Sequence, residues 1–179
     1  MSEENERARQ QAICQLDSIK EMVAALECDY ERLEELKDEK EELQEDLSGA
    51  DELDRSAAEK ALADWIEENQ EELDELIKAA GDCPSQEDAR ERIMEDPLSV
   101  QVRSGWYTPG DQGEAEEFEI LLCTGGPAVR IRGELGNFNE PERCWLEYQD
   151  WGTPWTELVF DSGEMDTVLT YCRCFYFGE

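Results

Sequence analysis

The apolar residues of this chain change their spacing at Leu98, and this change most constrains its fold. Before it, apolar positions recur every three or four residues, as at Ile13 and Leu16, which is typical of amphipathic helices. After it, they alternate with polar residues, as at Val129 and Ile131, which is typical of strands. The pattern predicts an α+β protein with a helical domain at 1–97 and an antiparallel β domain, rich in aromatic residues, at 98–179.

The first domain is predicted to contain two long helices, at 6–47 and 52–80. The short link between them predicts an antiparallel helical hairpin with coiled-coil character. Gly81 follows the last apolar position of the second helix and is a good C-terminal stop. A shorter third helix is predicted at 86–95, with Ser85 in front of it as the capping residue.

The second domain is predicted to form five or six short strands, arranged as a small antiparallel sheet or a sandwich. Its C-terminal run, Val168–Phe177, is predicted to be a strand. Cys172 and Cys174 would then share a face and, with Cys123 and Cys144, could supply four thiolates to zinc. Structural zinc sites usually need two closely spaced pairs, so we interpret these cysteines as small buried apolar residues and predict no metal or cofactor.

The chain contains no histidine, which excludes most neutral-pH catalytic machinery. Ser-His-Asp and Cys-His catalysis both need an imidazole, as do histidine metal sites. Neither a phosphate-binding G-x-x-x-x-G-K-[ST] motif nor a G-x-G-x-x-G motif after a strand occurs. Carboxylates are so abundant that closeness of two of them cannot nominate an acid and a base. We therefore expect a binding protein and not an enzyme.

The net charge is strongly negative, with 48 acidic against 16 basic residues and a formal charge of −32. Residues 1–97 hold 33 acids and 11 bases, and residues 98–179 hold 15 acids and five bases. Such a charge repels nucleic acids and anionic membranes but attracts basic proteins. We expect a basic, nucleic-acid-binding partner protein, with no direct contact to nucleic acid or membrane.

Carboxylates that project away from the apolar seam of the hairpin are the predicted binding residues. Few lysines are interleaved with them, so their mutual repulsion is largely unrelieved. Rows of carboxylates on a rigid helix could occupy a groove suited to phosphates, although a solvated, highly soluble helix face has the same composition. The predicted residues are Glu27, Glu31, Glu34, Glu35, Asp38, Glu41, Glu42 and Glu45 on the first arm and Glu67, Glu68, Glu71, Glu72, Asp74 and Glu75 on the second.

An aromatic segment in the second domain adds two further candidates. Trp151 and Trp155 flank a Gly-Thr-Pro turn, where large aromatic side chains are suited to partner recognition. A core role is the alternative for aromatic residues of a small sheet. Arg130 and Arg132 alternate with apolar residues, so they are predicted on the solvated face, paired with nearby acids.

Several segments resemble those of small acidic uncharacterised proteins of bacteriophages and prophages. The resemblance is carried by EDPLSVQVRSGWYTPG, EILLCTGGPAVRIRGEL, YQDWGTPWTEL and LTYCRCFYFGE, and it is clearest from Glu95 to Glu179. Proteins of this kind include anti-CRISPR and anti-restriction inhibitors, some of which imitate DNA. The resemblance implies an accessory role for a phage, and it assigns no target.

These observations predict a phage-derived DNA mimic that blocks the nucleic-acid-binding channel of a host defence complex, such as a CRISPR effector or a restriction enzyme. The alternative is a structural or adaptor protein that assembles through the hairpin, for which a homodimer is the simplest form. The chain begins without the apolar stretch of a signal peptide, and no apolar run approaches the ~20 residues of a membrane span. We therefore expect it in the cytoplasm of the bacterial host.

Overall fold

The structure, a computed structural model, describes residues 3–111 and 113–178. Met1, Ser2, Gln112 and Glu179, which belong to the predicted domains, lie outside the described residues. The predicted α+β class is confirmed, with five α-helices and one five-stranded antiparallel sheet among the described residues. In the same part of the chain, no helix is both long and apolar enough to cross a membrane.

The elements follow one another as helices first and strands second, before a final helix. The helices are α1 (Glu3–Glu27), α2 (Tyr30–Gly49), α3 (Arg55–Ala80), α4 (Gln86–Glu95) and α5 (Ser162–Cys172), and the strands are β1 (Ser99–Ser104), β2 (Ala115–Cys123), β3 (Ala128–Leu135), β4 (Pro141–Gln149) and β5 (Thr156–Leu158).

The chain divides into two compact units, and this division differs from the predicted domain boundary at residue 97. The first unit contains Met1–Val23 and Arg90–Glu179, and the second contains Ala24–Ala89. The first unit therefore includes most of α1 together with the whole sheet.

The sheet of the first unit is a meander in which each strand pairs with its neighbour in sequence. Among the described residues it is a single sheet and not a sandwich, because all five strands belong to it. The alternation predicted for β2 to β4 is confirmed: Phe118, Ile131 and Leu146 are buried on one face, and charged residues occupy the other. Phe118 lies over Gly133, where any Cβ would overlap its ring.

Helix α5 packs on the buried face of the sheet, against β4. The Sγ of Cys144 lies 3.6 Å from the Sδ of Met165 in α5. Burial is the main cause of the raised pKa of the Cys172 thiol, and the hydrogen bond to Cys144 raises it further. Cys144 and Cys172 are therefore small buried core residues, in line with their sequence interpretation.

The predicted strand at Val168–Phe177 is wrong, because most of its residues belong to α5 or to the turn that follows. The Asp161 carboxylate accepts the backbone N–H of Glu164, while the Glu164 carboxylate accepts that of Asp161. This capping box satisfies two backbone donors and begins a helix just before the aromatic run. Cys172 and Cys174 consequently do not share the face of a strand.

The predicted single helix at 6–47 is also wrong, because α1 ends at Glu27 and α2 begins at Tyr30. The Asp29 carboxylate accepts the backbone N–H of Arg32 at 3.0 Å and caps α2. An aspartate in this position satisfies a donor that the first turn of a helix cannot. The apolar spacing continues across the break, so periodicity does not reveal it.

Other predicted boundaries are confirmed within three residues. The second helix, predicted at 52–80, is α3, and Gly81 follows it with a φ of 56° that suits glycine. The third helix, predicted at 86–95, is α4, and the Ser85 hydroxyl accepts the backbone N–H of Asp88 at its start.

The capping box predicts that Asp161→Ala lowers the free energy of unfolding by about 1 kcal/mol, because a backbone donor of α5 loses its partner. Urea unfolding followed by circular dichroism measures the change. Asp166→Ala, an exposed acid on the same helix, is the matched control and should change stability by less than half as much. Equal effects of the two substitutions would contradict the capping role.

A second prediction concerns the pair formed by Lys20 Nζ and Glu164 Oε1, 2.7 Å apart. The hydrogen bond from Lys20 and then that from the Asp161 backbone hold the pKa of Glu164 below its usual 4.5. Because the folded pKa lies below the unfolded one, this stabilisation is present above about pH 4.5 and is lost as the pH falls further.

Glu164→Gln removes the charge but retains the capping hydrogen bond. We expect wild type to be more stable than this variant by less than about 1 kcal/mol at pH 7, with the difference closing towards pH 3. Urea unfolding across this pH range measures it, and a difference independent of pH would refute the ion pair's contribution.

Candidate acidic interface

The candidate interface is built on α2 and α3, which pack against each other in the second unit. Leu33 and Leu36 of α2 form a buried cluster with Leu73 and Ala80 of α3, and Trp65 packs beside it. Polar contacts connect α2 and α3 on either side of this seam. The seam is narrow, so most of each helix surface is available to charged residues.

The two helices run in opposite directions, as pairs of contacts along them demonstrate. Near the beginning of α2, Arg32 bonds to Glu72, towards the end of α3. Further along α2, the Nζ of Lys40 donates to Gln70 at 2.7 Å, and the Trp65 indole N–H donates to Glu39 at 2.9 Å. Contacts that advance along α2 thus move backwards along α3.

Every acid predicted to bind a partner is exposed in the structure. Glu27 differs from the others in position, because it ends α1 and belongs to neither α2 nor α3. The others lie on the two paired helices. On α2 they are Glu31, Glu34, Glu35, Asp38, Glu41, Glu42 and Glu45, and on α3 they are Glu67, Glu68, Glu71, Glu72, Asp74 and Glu75.

Arg32 neutralises two of these acids. Its Nε and Nη2 donate to the two carboxylate oxygens of Glu72 at 3.2 and 3.1 Å, and its Nη1 lies 3.4 Å from Glu35. The hydrogen bond to Glu72 is the main cause of the raised pKa of Arg32 and of the lowered pKa of Glu72. A bidentate pair of this kind links the two helices, and it removes Glu72 from the set of free anions.

Most of the remaining acids form no ion pair within the described residues. Lys40 is engaged with Gln70 and lies 5.9 Å from the centre of the Trp65 ring. One row on α2 repeats at helical spacing along a single face, and none of its members forms an ion pair within the described part of the chain. We call this set the outer row: Glu34, Asp38, Glu41 and Glu45.

The charge of the second unit summarises this imbalance. Residues 24–89 contain 25 acidic and six basic residues, a net charge of −19. α2 alone holds nine acids and three bases, and α3 holds eight acids and three bases. At about 1.5 Å per residue, the longer helix is ~39 Å long. The two helices together therefore present about one net negative charge per 3.5 Å of length.

Exposed isoleucines accompany the acids of α3. Ile66 is 42% exposed, and Ile77 is similarly exposed. Ile66 and the carboxylates of Glu67, Glu71 and Asp74 line a shallow groove of about 540 Å³. The seam against α2 passes through Leu73, and Trp65 packs beside it.

The two predicted tryptophans belong to the first unit and differ from each other in environment. Trp151 is 76% exposed, and its indole covers Gly126, where a Cβ would overlap the ring. Trp155 is half-buried, and its ring lies 4.0 Å from the guanidinium carbon of Arg130. Trp155 is therefore engaged within the sheet, whereas Trp151 is available to a partner.

The open face of the sheet pairs its charges across strands, as predicted for Arg130 and Arg132. Arg130 bonds to Glu119 of β2 and Glu147 of β4, both at 2.7 Å, and Arg132 bonds to Glu117 at 2.9 Å. These neighbours occupy directly opposite or diagonal positions in the ladder. The sheet thus neutralises several of its own acids, whereas α2 and α3 of the second unit leave most of theirs unpaired.

Exposed aromatic residues at one end of the sheet did not emerge from the sequence patterns. Trp106 and Phe138 are almost fully exposed, and Tyr107 and Tyr176 are more than half exposed. A sequence signal exists for three of them, because Trp106 and Tyr107 precede a Pro-Gly turn and Phe138 follows Gly-Asn. Large apolar residues inside turns have no strand face on which to be buried.

Within the described residues, no group of three or more Cys, Asp or Glu side chains is arranged to hold a metal ion. Comparisons with protein-family models, curated proteins and solved structures find no match to this chain.

The outer row predicts an unusual response to neutralisation. Replacing its four acids together by Gln and Asn should raise the free energy of unfolding by about 0.2–0.5 kcal/mol per charge at low salt, because like charges one turn apart repel. Leu36→Ala, which removes a fully buried contact between the helices, should instead cost about 2–5 kcal/mol. Thermal and urea unfolding measure both variants. Destabilisation by neutralising the outer row would mean that these acids hold the fold together.

Proposed function

We propose that this chain is a phage-derived inhibitor that imitates DNA and blocks the nucleic-acid-binding channel of a host defence complex, a CRISPR effector or a restriction enzyme. The observation that carries the proposal is the set of exposed, unpaired carboxylates along α2 and α3. Their repulsion disfavours the folded hairpin, and core packing gives no reason to retain them. A surface that opposes stability is expected where binding requires it.

The spacing of charge supports imitation of a nucleic acid strand. B-DNA carries one charge per ~1.7 Å of axis, and each of its strands carries one per ~3.4 Å. The value of about 3.5 Å for α2 and α3 together matches one strand more closely than the duplex. We therefore infer that the hairpin, as an antiparallel coiled coil, occupies the path of a single strand along a basic channel.

Binding of this kind is driven by charge and should weaken steeply with salt. The test uses purified CRISPR effectors and restriction enzymes, with affinity for this chain measured between about 50 and 300 mM NaCl and in competition with DNA. We expect DNA to displace the chain, and affinity to fall by at least about tenfold over that range. Affinity that does not change with salt for every bound target would refute imitation by charge.

Neutralising the outer row should weaken binding to the target by at least about tenfold. The matched control removes four exposed acids of the first unit that form no ion pair within the described residues, and it should retain most of the affinity. Equal losses of affinity in the two variants would mean that the net charge of the chain, and not the surface of α2 and α3, determines binding. The control substitutions are Glu91→Gln, Glu95→Gln, Glu157→Gln and Asp166→Asn.

A second candidate function, an adaptor that assembles through its helices, is favoured by the exposed Ile66 and Ile77. Apolar side chains on the outer side of α3 could pack against a second hairpin, as in a homodimer. In that case, Ile66→Ser with Ile77→Ser would abolish assembly, and neutralising the outer row would not. Sedimentation equilibrium of these two variants separates the adaptor from the inhibitor.

A further inference from the structure

The first unit exposes its aromatic residues at one end of the sheet. In an antiparallel meander, the connection from β1 to β2 and that from β3 to β4 emerge at the same end. The first connection contains Trp106 and Tyr107, and the second contains Phe138. Tyr176 joins them, because its hydroxyl and the Asn139 amide both lie beside Gly178. We call the four exposed residues the aromatic end: Trp106, Tyr107, Phe138 and Tyr176.

The backbone at Phe138 is unfavourable for the residue it holds. Phe138 has a φ of 62° and Asn139 a φ of 58°, the left-handed region that glycine and asparagine tolerate and phenylalanine avoids. Such a conformation costs on the order of 1 kcal/mol. Burial would offset this cost, but the ring is 95% exposed. Folding of this chain therefore gains little from a phenylalanine at this turn. A partner that covered the ring could gain binding energy from it.

A cleft of about 820 Å³ opens beside the Phe138 ring. Val102 and Phe177 contribute apolar walls to it. Phe177 is held in place because it is 4% exposed and its ring lies 4.7 Å from that of Phe118. A cleft with a fixed apolar wall and an exposed aromatic edge can receive a side chain of a partner.

The surroundings of the cleft are acidic. Glu114 lines it, and Glu116 lines the adjoining cleft that contains Trp106. Exposed carboxylates also flank the Phe138 turn, where Glu142 approaches Gly136. The single arginine of β1, Arg103, is paired with Glu117. In the described part of the chain, Glu114, Glu116 and Glu142 have no ion-pair partner.

Aromatic rings and unpaired carboxylates together select one partner chemistry. A planar guanidinium can stack on the rings and bond to the carboxylates at the same time, whereas a nucleobase would bring a repelled phosphate with it. We propose that the aromatic end is a docking site for an arginine-bearing segment of a partner protein. This surface is separate from the acids of α2 and α3, so the inference goes beyond the proposed function and does not depend on it.

The test uses the full chain and a fluorescein-labelled peptide of alternating glycine and arginine, with anisotropy measured at about 150 mM NaCl. A peptide with lysine in place of arginine has the same charge but stacks less well. We expect the arginine peptide to bind at least about threefold more tightly. Equal binding of the two peptides would overturn the proposal, because charge alone would then account for the affinity.

Phe138→Gly is the decisive variant, since glycine tolerates the left-handed backbone and removes only the ring. It should weaken binding of the arginine peptide about fivefold while leaving thermal stability unchanged or raised. Leu98→Ala, which removes an exposed apolar side chain at the opposite end of the sheet, should retain full binding. Unchanged binding by Phe138→Gly would overturn the docking site.

The outer-row variant distinguishes failure of this proposal from failure of the proposed function. Peptide binding that is lost on neutralising α2, but retained in Phe138→Gly, would place the arginines on the hairpin and overturn the aromatic end alone. Retained peptide binding by the outer-row variant supports a separate site. Self-association that Phe138→Gly abolishes in sedimentation equilibrium would instead assign the aromatic end to a second copy of the chain and overturn the arginine partner.

Discussion

Repulsion among carboxylates is the constraint on which the rest of this structure depends. With 48 acids and 16 bases, the chain cannot pair most of its negative charges internally. The two units meet this constraint differently. The sheet places its arginines between acids of neighbouring strands, as Arg130 does between Glu119 and Glu147. The paired helices α2 and α3 retain a narrow apolar seam and direct most of their acids to solvent.

This difference matters for function, because a paired charge and an unpaired one have different uses. A carboxylate bonded to arginine is already neutralised and gains little from a further cation. The carboxylates of the outer row form no ion pair within the described residues, so each can bind a cation of another molecule. The aromatic end adds a different kind of surface, in which rings and carboxylates together favour a guanidinium. The second unit thus presents rows of carboxylates, and the first unit presents a small cleft bordered by aromatic rings.

Periodicity and turn residues predicted a large part of the fold. The alternation of β2 to β4, the α4 boundaries and the stop at Gly81 follow from local chemistry, so sequence reasoning found them. It failed where a cap competes with periodicity. Asp29 caps the start of α2 within an unbroken apolar spacing. Asp161 with Glu164 begins a helix in a stretch whose aromatic and cysteine content favours a strand. Both missed caps are aspartates, a residue type that favours the N-terminus of a helix, so the sequence could have indicated both helix starts.

For the candidate surfaces too, some features follow from the sequence and others only from the tertiary structure. The sequence by itself determined that the acids of α2 and α3 are exposed, because an amphipathic helix has only one side on which to bury apolar residues. It also determined the pairing of Arg130 and Arg132 with acids, since alternation assigns a strand residue to a face. Only the tertiary structure decided that Trp155 covers Arg130, that Ile66 is exposed, and that Trp106 and Phe138 share one end of the sheet. Those outcomes depend on contacts between residues far apart in the chain, which no local pattern specifies.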